Sequence, residues 1–252
     1  SYIASFLKDI ANVKIIPVSE AAIKDWKGDI NFSHRVKIKL IEDFFKRFEG
    51  KLLYVDTDTV FTKDITPVYE LISDKNVVMH VFEGKVNSGV NRVMKKTHRF
   101  IKKNTFKVGN NNQFWIPEDT EQWNAGVLGL QKNHSIVLND VIELTEGIYR
   151  LWDLNGAEQL SFSYFLQKNF YIHPALEYIY HYWYFKEFRQ VVTAFFEYHK
   201  GKRLLDLLRY IPNIDPQRLE KPKVAYRSLN PIGRFLRRLK GQPWKMPDYS
   251  FE

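Results

Sequence analysis

The sequence predicts an α/β fold with a largely parallel sheet flanked by helices. One observation is a set of short apolar runs, such as Lys51–Val55 (KLLYV), which are typical of strands buried on both faces. These runs alternate with segments of helical periodicity; counting from Val36, apolar residues recur at i, i+4, i+5, i+8, i+9 and i+12. In addition, 44% of the 252 residues are hydrophobic and 15% are aromatic, which suffices for a core and excludes a disordered chain.

The predicted elements follow one another in alternation. Strands are expected at residues 14–18, 51–55, 77–82, 127–130 and 178–183. Helices are expected at residues 33–48, 66–73, 93–103, 135–152, 157–168 and 186–198. Ser33 is expected to cap the first of these helices, and Thr66 the second, in which Pro67 takes the first helical position.

Composition excludes several classes of protein. There is no cysteine, so a disulfide framework and a thiolate metal site are excluded. The sequence contains no apolar run of membrane-spanning length and no signal-peptide pattern in residues 1–24, which predicts a cytoplasmic protein. The formal net charge is +9 and is unevenly distributed: residues 216–245 carry +8 and residues 83–107 carry +7.

The charge pattern suggests a domain organisation. Residues 1–210 are predicted to form one domain with a basic insertion at about 84–112, which is interpreted as a lid, an acceptor-binding loop, a membrane contact or a solvated loop. Residues 211–252 are predicted to form a basic, proline-rich tail. Within it, residues 230–240 (NPIGRFLRRLK) have the pattern of a basic amphipathic helix, which would either lie on an anionic membrane or dock on the body of the protein.

Asp56 and Asp58 follow directly on the KLLYV run. Alternate residues of an extended chain point to the same side, so the two carboxylates are expected to converge at the end of a strand. Carboxylates suit Mg²⁺ or Mn²⁺, which keep coordination positions open for phosphate oxygens. The alternative is a solvated turn whose aspartates cap the next segment.

A larger pattern surrounds this motif. The segment L-L-Y-V-D-T-D-T-V-F follows a basic amphipathic helix, and W-N-A-G-V, A-E-Q and H-Y-W-Y-F-K come later, at 123–127, 157–159 and 181–186. In this order the segments resemble the nucleotide-sugar glycosyltransferases of the GT-A fold, a Rossmann-like α/β fold. The similarity covers residues 14–186 and is greatest to the group, family 8, that includes glycogenin and the bacterial lipopolysaccharide galactosyltransferases.

The resemblance implies a set of site residues. It implies that Asp56, Asp58 and His181 hold Mn²⁺ or Mg²⁺, with Asp56 also near the ribose of a nucleotide diphosphate sugar, most simply a UDP-sugar. It further implies that this donor is bound by residues from the preceding helix, the N-A-G segment and the late lysine: Arg35 or Lys39, Asn124, Ala125, Gly126 and Lys186. Glu158 and Gln159 would lie near the reacting carbon.

Some of these residues have a second interpretation. The late element lacks the family's glycine between His181 and Lys186, and His181 could be part of a packed aromatic strand. The negative charge of Glu158 could instead serve to stabilise the N-terminus of a helix. Only 55 residues precede Asp56, and the first predicted strand, at 14–18, resembles the family's third. Either a leading segment that binds the base is missing from this sequence, or the base is held differently.

The sequence thus predicts a metal-dependent hexosyltransferase that acts, with retention, on a cell-envelope glycan or a lipid-linked acceptor, as in bacterial polysaccharide biosynthesis. The basic tail would add a peripheral contact with the inner face of the membrane. The alternative is a catalytically degenerate scaffold that binds membranes or polyanions; nucleic acid is disfavoured because the basic segments have few interleaved aromatic residues. A nucleotidyltransferase is a third hypothesis, without a glycine-rich phosphate loop to support it.

Overall fold

A computed structural model describes residues 7, 10, 12–109, 113–241 and 243–252. By internal contacts the chain divides into two units, Val18–His181 and the combination of Ser1–Pro17 with Tyr182–Glu252. The sequence-based division into residues 1–210 and 211–252 separates a catalytic domain from a tail and stays a prediction.

The first unit is built around a sheet with the strand order β1-β6-β3-β7. Its strands and those of two small ribbons, β2-β8 and β4-β5, are β1 (Lys51–Val55), β2 (Thr59–Phe61), β3 (Asn76–Met79), β4 (Phe82–Lys85), β5 (Glu121–Trp123), β6 (Val127–Gln131), β7 (Tyr171–Pro174) and β8 (Ile179–His181).

The α/β class is confirmed, but the prediction of a mostly parallel sheet is wrong. Strand β6 runs antiparallel to both β1 and β3, and only the β3–β7 pair is parallel among the described strands of this sheet. The reason is that a continuous apolar run predicts burial on both faces and carries no information on strand direction.

The helices of this unit are α1 (Glu20–Lys27), α2 (Arg35–Arg47), α3 (Thr66–Leu71), α4 (Arg92–Ile101), α5 (Leu138–Leu151) and α6 (Ala157–Asn169). Short 3₁₀ turns lie at Val86–Ser88 and Lys132–Val137. Local caps explain several helix starts: the Asn91 side chain accepts a hydrogen bond from Met94 N at 2.9 Å, and the Ser19 hydroxyl accepts one from Ala22 N at 3.1 Å.

The two faces of the sheet bury different clusters. Leu128 and Leu130 of β6 belong to the larger cluster, together with residues of α2, α5 and α6 such as Ile41, Leu144 and Phe162. Val127, on the other face of β6, belongs with Val78 of β3 to a smaller cluster that also contains side chains from α3, β8 and neighbouring loops. The period of two along β6 explains how one short strand serves both clusters.

The structure corrects several predicted boundaries. Residues 14–18 are irregular rather than a strand, and Ile15 and Ile16 are exposed. The predicted strand at 77–82 divides into β3 and the start of β4, and the helix predicted from Ser135 begins at Leu138 after a 3₁₀ turn. A short apolar run becomes a strand only when another strand pairs with it, which the run itself does not specify.

Two predicted caps also differ. Helix α2 has His34 rather than Ser33 at its N-cap position. At the start of α3 the Asp64 carboxylate, not Thr66, is the capping group, and it accepts a hydrogen bond from Thr66 N at 3.0 Å. His34 makes no capping hydrogen bond through its side chain, so α2 begins without a side-chain cap, whereas the carboxylate at Asp64 is one of the preferred capping groups.

The second unit is helical in its described part. It contains α7 (Phe188–Tyr198), α8 (Leu204–Leu207), a 3₁₀ segment Leu208–Ile214, α9 (Pro216–Ser228) and α10 (Pro231–Leu239). Asp215 caps α9 through a hydrogen bond from Gln217 N at 2.9 Å. In the part of the chain that the structure describes, none of the helices combines the length and apolar character needed to cross a membrane.

Candidate metal centre

The Asp56-Thr57-Asp58 turn leaves the end of β1 and is tied to the neighbouring strand. Asp56 N donates a hydrogen bond to Gly126 O at 2.8 Å, immediately before β6. The Thr59 hydroxyl donates to Asp56 O at 2.8 Å, which closes the turn into β2. The backbone of the motif is therefore held on both sides before any ligand binds.

The β2–β8 ribbon brings a histidine to this turn. Thr59 of β2 is paired with His181 of β8 in antiparallel register. His181 Nε2 lies 2.9 Å from Asp58 Oδ1 and 4.0 Å from Asp56 Oδ2. One ligand atom from each of these three side chains lies within 4.8 Å of the other two, so they form what we call the Asp56–Asp58–His181 cluster.

The hydrogen bonds behind His181 define its tautomer. The Asn124 amide nitrogen donates to Glu83 Oε1 at 3.2 Å, so Asn124 Oδ1 is directed away from Glu83. That oxygen accepts from Gly126 N at 2.9 Å and lies 3.1 Å from His181 Nδ1. Because an amide oxygen only accepts, Nδ1 carries the proton. Whenever the ring carries only this proton, its lone pair is on Nε2, which faces Asp58.

This arrangement fits a hard divalent cation. A neutral His181 presents a lone pair at Nε2, and Asp58 Oδ1 presents another at 2.9 Å. Two acceptors at this distance require a positive charge at their junction, either a metal ion or a proton on the ring. Two carboxylates and an imidazole suit Mn²⁺ or Mg²⁺, and a ligating histidine commonly donates its other N–H as His181 does to Asn124.

Gly126 is required by the position of His181. A Cβ atom at residue 126 would lie 2.2 Å from His181 Nδ1 and 2.3 Å from its Cε1. The ring therefore packs directly against the backbone of the N-A-G segment, and any larger residue would displace it.

His80 supports the other side of the His181 ring. The two rings meet edge to face with centroids 5.4 Å apart. His80 Nε2 lies 3.0 Å from Ile179 O and must donate to it. Burial lowers the pKa of His80 to about 4, so it stays neutral at physiological pH and adds no charge beside the cluster.

Lys37 is a site residue that the sequence analysis missed. Its ammonium group donates to Ala125 O at 3.0 Å and to Asp56 Oδ2 at 3.3 Å, and lies 3.6 Å from Glu158 Oε1. It is almost completely buried, in the row of α2 residues that also contains Ile41 and Phe45. A lysine within an apolar helical row is a signal that could have identified it, because a buried ammonium group needs paired acceptors.

Tyr54 completes the surroundings of Asp56. Its hydroxyl donates to Asp56 Oδ1 at 2.7 Å. Burial, and then the negative charge of Asp56, raise the pKa of Tyr54 well above its usual range. The phenol therefore stays protonated, and one Asp56 oxygen accepts from Tyr54 while the other faces Lys37 and His181.

Glu158 lies behind Lys37, at the start of α6. It is buried, and its Oε1 lies 3.4 Å from His34 Nδ1. Burial acts to raise the pKa of Glu158, but the contact with His34 and the charge of Lys37 outweigh it and lower the pKa overall. Among the described residues, Oε2 has no hydrogen-bond partner. A buried carboxylate of this kind holds Lys37 and His34 in place.

Gln159 and Glu83 position the N-A-G segment. Gln159 Nε2 donates to Glu83 Oε2 at 2.9 Å, and Gln159 Oε1 accepts from Ala125 N at 3.5 Å. Glu83 also accepts a hydrogen bond from Asn124, so its carboxylate links β4 to Asn124 and to Gln159. Glu83 is the second residue that the sequence analysis missed, and its place in a four-residue strand gave no signal of this role.

Arg35 and Lys39, the two cations of α2 that were predicted to bind the donor, form other contacts within their own unit. Arg35 Nε donates to Glu146 Oε1 at 2.8 Å and its guanidinium also bonds to Trp26 O, whereas Lys39 pairs with Glu42 on the same helix. Lys186 is exposed in the turn before α7 and belongs to the second unit. Their predicted contacts with a donor stay predictions, and Lys37 is the lysine of α2 that the structure brings to the cluster.

No protein-family model matches the chain, and a search of curated proteins found no match.

Proposed function

We propose that this protein is a metal-dependent glycosyltransferase that moves a hexose from a nucleotide diphosphate sugar to a hydroxyl of a glycan or lipid-linked acceptor. The observation that carries the proposal is the Asp56–Asp58–His181 cluster, in which Asn124 directs the Nε2 lone pair of His181 towards Asp58. A bound Mn²⁺ or Mg²⁺ would neutralise charge that develops on the departing nucleoside diphosphate.

The residues around the cluster have defined roles in this proposal. Lys37 balances the charge of Asp56 and Glu158, which keeps two carboxylates close to each other in a buried setting. The family resemblance would place Ala125 and Gly126 in the sugar pocket, while the missing side chain of Gly126 leaves room for the His181 ring. The contacts of Glu158 with Lys37 and of Gln159 with Ala125 favour positioning roles for both residues.

The family resemblance supplies the finer parts of the proposal. These are a GT-A fold, a UDP-sugar as donor, and retention of the anomeric configuration through attack on the face that the diphosphate leaves. Holding donor and acceptor in reacting geometry would supply much of the rate enhancement. The sequence-based expectation of a cytoplasmic location belongs to the same proposal.

A thermal-shift panel tests the proposal directly. UDP, GDP, CDP and CMP are each added with and without Mn²⁺, and we expect one diphosphate to stabilise the protein only when Mn²⁺ is present. A ligand at about 100 times its dissociation constant stabilises by roughly 2.7 kcal/mol, which is readily measured. Stabilisation by none of the nucleotides would contradict the proposal and favour a degenerate scaffold.

Asp58→Asn is the matching variant. It keeps the shape of the side chain but removes the charge, and we expect it to abolish both the Mn²⁺-dependent shift and hexosyl transfer. Asp29→Asn is the control, because it makes the same chemical change at an exposed position of the same unit. Wild-type turnover in Asp58→Asn, with Asp29→Asn also unchanged, would refute the metal's proposed role.

A further inference from the structure

Helix α10 has an apolar face that is largely exposed to solvent. Its four large apolar residues occur at i, i+3, i+4 and i+7 and form one stripe along the helix. Their exposed fractions are 70% for Ile232, 60% for Phe235, 54% for Leu236 and 68% for Leu239. A helix of a folded domain usually buries such a stripe, so its exposure marks a surface that binds something else.

The helix is preformed and held in this orientation. Pro231 is in its first turn, and the Asn230 side chain accepts a hydrogen bond from Gly233 N at 2.7 Å. Arg238 Nε donates to the Tyr226 hydroxyl of α9 at 3.0 Å, on a different side of the helix from the apolar stripe. Helix α10 is thus attached to its neighbour through a polar contact, which leaves the apolar stripe uncovered.

Positive charge surrounds the stripe. There is no acidic residue between Glu220 and Asp248, a stretch that contains eight basic residues. Arg234 and Arg237 lie on the side opposite the stripe and Lys240 lies on its flank, as the period of 3.6 residues requires. Long basic side chains in these positions can extend towards phosphate groups while the apolar residues enter the acyl boundary.

We propose that α10 docks on an anionic lipid surface, with Ile232, Phe235, Leu236 and Leu239 inserted and the basic residues of the tail facing the headgroups. The charge of this segment favours a lipid surface over the two other candidate partners, which are a second copy of the chain and a polyanion. A second copy of this segment would bring together two stretches that each carry eight basic and no acidic residues, whereas an anionic surface attracts them. A polyanion without an apolar phase would leave the four apolar side chains in water. This proposal does not depend on the proposed enzymatic function.

Trp244 is not part of the docking face. Its ring is partly buried, with its centroid 6.2 Å from that of Phe185. Lys223 lies over the same ring at 5.5 Å. The docking surface is therefore confined to α10 and its basic neighbours.

Vesicle co-sedimentation with the full chain tests the docking proposal. We expect the protein to sediment with phosphatidylcholine vesicles that contain phosphatidylglycerol and to remain in solution with pure phosphatidylcholine. Phe235→Glu combined with Leu236→Glu should reduce the partition coefficient at least tenfold, because it places two charges in the inserting face. Arg234→Gln and Arg237→Gln should each reduce it about fivefold, the equivalent of roughly 1 kcal/mol per basic residue.

Two control variants separate this surface from general effects. Ile136→Glu combined with Leu205→Glu makes the same change at two other exposed apolar residues and should leave vesicle binding unchanged. Lys95→Gln combined with Lys96→Gln removes charge from the exposed basic helix α4 and should have a small effect. Far-ultraviolet circular dichroism checks that each variant is folded.

Three outcomes would overturn the proposal: equal binding to neutral vesicles, wild-type binding by the Phe235→Glu/Leu236→Glu variant, or no binding to either vesicle. Sedimentation velocity identifies the competing occupant. A dimer that dissociates in the Phe235→Glu/Leu236→Glu variant, without any vesicle binding, would assign the stripe to a second copy of the chain.

Discussion

Asn124 has more influence on the candidate site than its lack of charge suggests. Its amide is oriented by Glu83 on one side and by Gly126 N on the other, and the orientation decides which nitrogen of His181 is protonated. A ligating imidazole without such a partner loses both its tautomer and its ring orientation. The sequence resemblance assigns Asn124 to the sugar pocket, whereas its contacts assign it to the support of His181.

We therefore predict that Asn124→Ala lowers the affinity for Mn²⁺ by about 10- to 100-fold, the usual effect of removing a partner of a ligating histidine. Isothermal titration calorimetry measures the affinity. Asn104→Ala is the control, since it removes an amide that bonds to Phe100 O in α4. An unchanged Mn²⁺ affinity in Asn124→Ala would mean that His181 does not depend on this hydrogen bond.

Gly126→Ala should displace His181, because the new Cβ atom would lie 2.2 Å from Nδ1. We expect a loss of stability of about 1–3 kcal/mol together with a loss of Mn²⁺ binding. Gly129→Ala, three residues later within β6, provides the comparison: its Cβ atom would lie 2.7 Å from that of Val78, within the core. Chemical denaturation should therefore show a loss of stability in both variants, and Mn²⁺ titration a loss of binding in Gly126→Ala alone.

At the scale of elements, the turn Lys132–Val137 positions the start of α5 through a histidine. Gln131 N donates to His134 Nδ1 at 3.2 Å, and His134 Nε2 lies 3.2 Å from Asp74 O. Nδ1 must accept and Nε2 must donate, so the contacts need a neutral ring. Burial, which is the largest cause, lowers the pKa of His134 below its ordinary value of 6.5.

This pKa predicts how stability depends on pH. Between the lowered pKa of the folded protein and 6.5, the unfolded chain binds more protons at His134 than the folded protein does. The contribution of His134 is complete above pH 6.5 and is lost as the pH falls towards the folded-state pKa. Urea unfolding at pH 7.5 and 5.5 should therefore show a smaller decrease in stability for His134→Asn than for wild type. An equal decrease would exclude His134 as a source of acid sensitivity.

At the scale of the whole molecule, the net charge is confined to one unit. Val18–His181 contains 21 basic and 21 acidic residues, whereas the remaining residues include 17 basic and 8 acidic ones. The basic helix α4 is therefore balanced by acidic residues of its own unit. The unit that contains α10 carries the full +9, which favours its binding to anionic surfaces over that of the first unit.

Salt should affect Mn²⁺ binding at the cluster and vesicle binding through α10 to different extents. The Asp56–Asp58–His181 cluster is partly buried, with His181 6% exposed, so its charges are only weakly screened. The basic side chains around α10 are exposed and strongly screened. Raising NaCl from 50 to 500 mM should reduce sedimentation with anionic vesicles by at least tenfold and change Mn²⁺ affinity much less. A larger effect of salt on Mn²⁺ affinity than on vesicle sedimentation would contradict both the partly buried metal site and the exposed basic surface around α10.

Several features of the fold and the site are determined by local sequence. The α/β class, β1, α6 and the amphipathic pattern of α10 follow from periodicity over a few residues. The place of Asp56 and Asp58 directly after β1 is also fixed by the local sequence, although they converge in a turn and not on an extended chain. Their pairing with His181 follows from no spacing rule, since more than a hundred residues separate them, and only the resemblance to a known family suggested it.

The tertiary structure decided the direction of β6, the choice of Lys37 over Arg35 and Lys39, and the tautomer of His181. Each depends on contacts between segments that are far apart in the chain. Strand direction is decided by how the chain returns to the sheet. Arg35, Lys37 and Lys39 lie on different faces of α2, and the fold decides which face is buried at the cluster. The sequence alone thus determined which chemical groups are available, and the packing of distant segments determined which of them meet.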